Sequence, residues 1–127
     1  MVIAPEMIHS ARIIPVDGRP HVTKNIKLWL GDTRGHWEGN TLVLETDNFR
    51  PDTGTRYTTH LTERFTRVSQ DRINYEYTVN DPTQFTKPWK VAGFFGRVAK
   101  DAPEPLEYAC AETSRALLSI FGKPPGR

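Results

Sequence analysis

The run Ile73-Asn74-Tyr75-Glu76-Tyr77-Thr78-Val79-Asn80 alternates apolar and polar residues without a break, and a period of two belongs to a strand with one buried face. Ile73, Tyr75, Tyr77 and Val79 share one side; Asn74, Glu76, Thr78 and Asn80 share the other. A partner lies just upstream. Thr58 to Val68 is also β-type, and Ser69-Gln70-Asp71-Arg72 between the two runs has the composition of a hairpin loop. The rest of the chain up to about Pro103 repeats this rhythm of short β-type runs and turn clusters, which predicts an antiparallel meander.

Ile8 to Val16 reads as a first strand ending at Asp17-Gly18-Arg19-Pro20, where Asp-Gly supplies the positive backbone angle of a tight turn. Ile26 to Leu30 fits a strand or one helical turn, and Gly31 to Gly35 reads as a loop. Trp37-Glu38-Gly39-Asn40-Thr41 predicts a turn into a strand that starts at Leu42-Val43-Leu44 and runs to Thr46 or Asp47, before a polar loop from Arg50 to Thr55. Asp81-Pro82 closes the alternating strand, because proline lacks a ladder donor. Trp89 to Val98 is the last strand, with Gly93 and Gly96 as bulges or bends. Beyond Pro105 the period becomes helical, and Ala109, Leu117 and Phe121 fit one amphipathic helix ending at Gly122 before Pro124-Pro125.

These elements predict a mainly β fold: a small lipocalin-like antiparallel β-barrel, or a strongly curved sheet, with one C-terminal helix. The 127 residues suit a single domain, with the barrel at about 1–103 and the helix at about 106–121. Three Trp and four Tyr must supply much of a modest core, and a homodimer would bury more. No apolar run approaches the roughly 20 residues that a membrane-spanning helix needs. With 17 Lys and Arg against 15 Asp and Glu, the net charge of +2 is too small and scattered to indicate nucleic acid. The single cysteine, Cys110, has no internal partner, and Met1 to Glu6 lacks the layout of a signal peptide, so the expected location is cytoplasmic.

Chemistry concentrates on Thr59-His60-Leu61-Thr62-Glu63-Arg64-Phe65. Alternation places Glu63 in the apolar register with Leu61 and Phe65, where desolvation would raise a carboxyl pKa toward that of a general acid or base. Tyr75 and Tyr77 are in position to donate hydrogen bonds to it. The other reading of Glu63 is an ion pair with Arg12 or Arg97. His60 and Arg64 occupy the opposite register, as base and anion stabiliser if that face lines a cavity, or as an exposed polar face if it does not. A one-residue slip decides between the two sites.

His9, His21, His36 and His60 have no ligand-like spacing, so no metal is expected unless Glu38, Asp47 and Glu112 converge with them in space. No glycine motif for a cofactor is present, and none is expected. Cys110, at the start of the predicted helix, is in a place where the helix dipole would lower a thiol pKa, but a packed thiol is the simpler reading. Trp29, Trp37 and Trp89 are core or interface residues, or contacts for a flat apolar ligand at a barrel mouth.

Three stretches carry a family resemblance: Ile13-Ile14-Pro15-Val16-Asp17-Gly18-Arg19-Pro20-His21, Gly35-His36-Trp37-Glu38-Gly39-Asn40-Thr41-Leu42-Val43, and Asp81-Pro82 through Lys87-Pro88-Trp89 to Glu107-Tyr108-Ala109-Cys110. Over nearly its whole length the chain resembles a family of uncharacterised bacterial proteins with the pattern DGRPH, GxWEGDTLVV, ERF, DPxxxTxPW and YEYAC. Many of those proteins look exported, with an additional N-terminal stretch, and against them this chain resembles a self-sufficient minimal version. It departs at Asn40, where Asp is usual, and at Ala111, where His commonly follows the Cys. The resemblance implies a functional shortlist of Asp17, Arg19, His21, Trp37, Glu38, His60, Glu63 and Arg64.

Two functional expectations follow. The first is a cofactor-independent enzyme, a lyase, isomerase, cyclase or hydrolase, that encloses a small apolar organic substrate and moves a proton through Glu63 or His60 with Arg64. Tyr75, Tyr77, Trp37, Trp89, Glu38 and His21 would then bind the substrate. The second is a non-catalytic lipocalin-like binding module or accessory subunit in which the same residues orient an apolar ligand.

Overall fold

The computed structural model describes residues 1–5, 11–50 and 59–101. These form seven strands: β1 Val2–Ile3, β2 Arg12–Ile13, β3 Asp32–Glu38, β4 Thr41–Asp47, β5 His60–Arg67, β6 Arg72–Asn80 and β7 Trp89–Gly96. β1 and β2 make a small antiparallel pair, and β3 to β7 make a five-stranded antiparallel meander in chain order. The predicted helix and Cys110 lie outside the described residues.

Register follows from side-chain alternation. Gly35, Leu44, Glu63, Tyr77 and Val91 are successive cross-strand partners, so a single row on one face runs from β3 to β7. The hairpin predicted over Thr58 to Asn80 forms with Arg67 opposite Ile73. The β3–β4 turn is Gly39-Asn40, and Gly39 has φ 60°, the conformation that a two-residue hairpin needs at its first position.

Three expectations are corrected. Gly31 to Gly35 is not a loop: β3 begins at Asp32, and pairing with β4 from Asp32↔Asp47 to Glu38↔Thr41 overrides the weak strand propensity of the segment. Gly35 is needed there because a Cβ would lie 3.0 Å from both Leu44 and Val16 and 3.2 Å from Ile14, so its absence lets the N-terminal segment lie close on the strand. Gly93 and Gly96 form no bulges; the β6–β7 register is continuous from Arg72↔Gly96 to Val79↔Trp89. Ile26 to Leu30 contributes one isolated bridge, Leu28↔Phe49.

The third correction concerns the barrel. Among the described residues the sheet is open, because β3 is bonded only to β4 and β7 only to β6. Closure would require the edge of β3, but there Gly35 N–H donates to the Pro15 carbonyl at 2.9 Å. The chain thus buries half of its apolar face under its own N-terminal segment instead of curling that face inward. Ile14, Leu42 and Leu44 form the core, with Ile3 and Phe65 packed against them. Full burial of a side chain such as Leu44 stabilises by roughly 1.5–3 kcal/mol.

Candidate functional site

Alternation along β5 sends Glu63 to the apolar face, where it is only 4% exposed. A carboxylate there needs partners, since an unpaired buried charge costs several kcal/mol. Arg12 of β2 provides two of them, with Nη1 donating to Oε1 at 3.1 Å and Nη2 to Oε2 at 2.5 Å. Tyr75, on β6, donates its hydroxyl to Oε1 at 2.9 Å. Burial and the Glu63 charge beside it push the Tyr75 phenol above its ordinary pKa, so it remains a donor.

Arg12 Nη2 also reaches the hydroxyls of Thr33 at 3.3 Å and Thr46 at 3.4 Å, and these lie 2.9 Å apart. The Nε of Arg12 is buried with no partner among the described residues. Of the two arginines weighed from sequence, Arg12 is the one that pairs with Glu63; Arg97 lies 3.4 Å from Asp71. Tyr77 is the direct cross-strand neighbour of Glu63, but the hydrogen bond comes from Tyr75.

Beside this cluster is a cavity of about 490 Å³. Leu61, Tyr75, Tyr77 and Val79 line it from the sheet, with Phe85 from the loop after β6 and Trp89 from the start of β7. Trp89 meets Tyr77 edge-on at 5.8 Å and Phe85 edge-on at 6.0 Å, in the ring arrangement that aromatic quadrupoles favour. The polar part of the wall is Thr59, Asp81 and Gln84. Asp81 is 1% exposed and accepts hydrogen bonds from Thr59 Oγ1 at 3.0 Å, Gln84 Nε2 at 3.0 Å, Thr83 N at 3.0 Å and Thr83 Oγ1 at 2.6 Å. The Thr83 hydroxyl above all, with Gln84 and Thr59, holds the Asp81 carboxyl well below the usual carboxylate range.

His60 and Arg64 occupy the opposite face of the sheet. His60 Nδ1 lies 2.9 Å from Asp47 Oδ1, and its Nε2 lies 3.3 Å from the Thr62 hydroxyl. Arg64 donates to Glu38 at 2.6 Å, and Glu38 also meets His36 at 3.2 Å; the guanidinium in particular lowers the Glu38 pKa. The sheet therefore separates Glu63 from His60 and Arg64, and the three do not share one site. His21 sits 3.0 Å from Asp32, which also accepts from Arg34 at 2.6 Å and from Val22 N–H at 2.9 Å. Trp37, 61% exposed, lies at the far end of the apolar face. Of the residues predicted to bind substrate, Tyr75, Tyr77 and Trp89 line the cavity, whereas Trp37, Glu38 and His21 do not.

Leu61, Phe85 and Asp81 were missed as cavity residues. Asp81 carried a readable signal, because Thr at +2 and Gln at +3 are suited to an Asx-type turn closed by the carboxylate. Phe85, in a polar loop with no period, carried none.

No group of three or more His, Cys, Asp or Glu side chains among the described residues is arranged to hold a metal ion. No helix among them is long and apolar enough to cross a membrane. Comparison with protein-family models, with curated proteins and with solved structures found no match to this chain.

Proposed function

We propose that this chain is a small-ligand-binding module that takes a small apolar organic molecule between β5, β6 and the start of β7. The carrying observation is the cavity itself. Its 490 Å³ falls within the roughly 300–1,000 Å³ of small-molecule sites, and its wall is mostly aromatic and aliphatic with a few convergent polar groups. The lipocalin-like likeness lies in that principle, the apolar face of an antiparallel sheet laid against a small ligand.

Binding is favoured over catalysis because both Glu63 oxygens already accept hydrogen bonds from Arg12 and Tyr75, so the carboxylate serves the fold first. One observation supports the enzymatic reading. Tyr75 lines the cavity and donates to Glu63, so it would connect a bound molecule to a buried carboxylate. A substrate altered by catalytic amounts of protein, with turnover lost in Tyr75→Phe while binding persists, would establish that reading.

Titration with N-phenyl-1-naphthylamine, whose fluorescence rises on leaving water, tests the binding proposal. Saturable enhancement is expected, with affinity about tenfold weaker in Trp89→Ala and unchanged in Trp37→Ala. No enhancement, or equal loss in both variants, refutes it.

A further inference from the structure

We propose that the open edge of β7 is a docking strand for a second copy of this chain, pairing antiparallel about a two-fold axis at Gly93 so that one sheet continues through both copies. The two edges of the sheet are treated differently. β3 carries Asp32, Arg34, His36 and Glu38 along one side, and the Pro15 carbonyl takes up its Gly35 N–H. β7 is eight residues long, has Lys90 as its one charged residue, contains no proline, and is exposed throughout. Among the described residues no strand pairs with its outer edge. Natural sheets protect such edges with charge, proline, a bulge or a cover, and among the described residues β7 has none of these along most of its length.

A two-fold axis perpendicular to the sheet pairs residues of the same face and must lie midway between the two copies of one residue. Centred on Gly93, it sets Ala92 against the partner's Phe94 on one face and Val91 against the partner's Phe95 on the other, with Lys90 against Gly96. Val91 with Phe95 is a β-branched–aromatic pair, a favourable cross-strand class, Ala92 leaves room for Phe94, and the two Lys90 ammonium groups stay apart. Phe94 and Phe95 are 63% and 53% exposed, and Gly93 faces open space.

Residues 102–127 are a poorer occupant for the edge. That sequence has no alternating run to serve as a strand: its period between Pro105 and Pro124 is helical, and Pro103, Pro105, Pro124 and Pro125 lack ladder donors. The exposed parts of Trp89, Phe94 and Phe95 supply on the order of 300 Å² per copy, with strand backbone added, against about 800 Å² in a standard interface. The expected species is a concentration-dependent dimer rather than an obligate one. The proposal is independent of what the cavity binds.

The test uses the full 127-residue chain. Sedimentation velocity should show a monomer–dimer equilibrium; a monomer at every concentration overturns the proposal, and that includes the case in which residues 102–127 cover the edge. In a Cys110→Ser background, Gly93→Cys places two thiols across the axis at a Cα separation of about 4.5–5.5 Å, within disulfide range. Diamide should cross-link it at least tenfold faster than Ala92→Cys, and equal rates overturn the register. Ala92→Lys and Phe94→Glu should each weaken the dimer at least tenfold, and the double variant should restore it at low salt through Lys–Glu pairs. A double variant as weak as either single one also overturns the register.

Discussion

The β3–β5 half of the sheet and the β6–β7 half carry the same alternation but meet different surroundings. Along the row Gly35, Leu44, Glu63, Tyr77, Val91, exposure rises from 0% at Leu44 and 4% at Glu63 to 39% at Val91. Ile14 and its neighbours cover the first half. The second half keeps its apolar side chains at the surface, around the cavity and along the β7 edge. An apolar face on a strand is therefore a demand for cover: here the N-terminal segment meets it on one side, and among the described residues nothing meets it to the same extent on the other.

The largest expected effect comes from the residue that ties the cover to the sheet. Arg12→Met leaves the buried Glu63 carboxylate without its ion pair, and a loss of about 3–5 kcal/mol of stability is expected in urea unfolding. Arg12→Met with Glu63→Leu should recover most of that, because an apolar pair is often as stable as a buried ionic one. A single-variant cost below about 1 kcal/mol would mean that the covered half is not held by this pair, which removes the main contrast between the halves.

Next in size is a direct comparison along the row. Leu44→Ala opens a cavity in the filled half and should cost roughly 2–5 kcal/mol. Val91→Ala removes side-chain atoms already at the surface and should stay within about 0.5 kcal/mol. Similar costs at the two positions, measured by the same unfolding curves, would show that the β7 face is covered in solution.

The sheet was only partly legible in the sequence, and the reason is physical. The alternation of β6 and its hairpin with β5 could be read directly, because a period of two and a polar loop are local signals. That Glu63 lies inside could be read from its apolar neighbours, and Arg12 and Arg97 were both credible partners. Choosing Arg12 required knowing that β2 crosses over the sheet, a contact 51 residues apart that no local pattern encodes. β3 was hidden by its glycines and charges, since its strand identity comes from pairing with β4. Among the described residues the expected barrel does not close, because the sequence announces an apolar face but not what will cover it.

Tyr75 sits at the boundary of the two halves, and its variant is expected to be milder. Tyr75→Phe keeps the ring contacts with Phe65 at 4.7 Å and Phe95 at 5.2 Å and removes only the hydroxyl donated to Glu63. Arg12 still satisfies the carboxylate, so a loss of about 1.5–3 kcal/mol is expected in the same unfolding measurement, as for one hydrogen bond to a charged group. A larger loss would place the phenol in the covered half's support.

The smallest effect should appear at the bare half's own anchor, as a dependence on pH. Asp81 has its pKa depressed in the folded chain, chiefly by the Thr83 hydroxyl. A depressed carboxylate contributes stability that is present above its unfolded value of about 3.9 and is lost as pH falls through the folded value. Wild-type melting temperature should thus carry an Asp81 contribution that is constant near neutrality and shrinks below about pH 4. Asp81→Asn removes the titrating group while keeping the side chain's shape, so the gap between the two proteins should narrow toward acid. Following the melt by tryptophan fluorescence brings in Trp89, which shares the cavity wall with Asp81. A gap that holds constant from pH 7 to about pH 2.5 would mean that the charge of Asp81 is not what fixes the Thr59, Thr83 and Gln84 corner. The polar wall would then owe its position to shape alone, and the two halves of the sheet would differ in their use of a buried carboxylate as well as in cover.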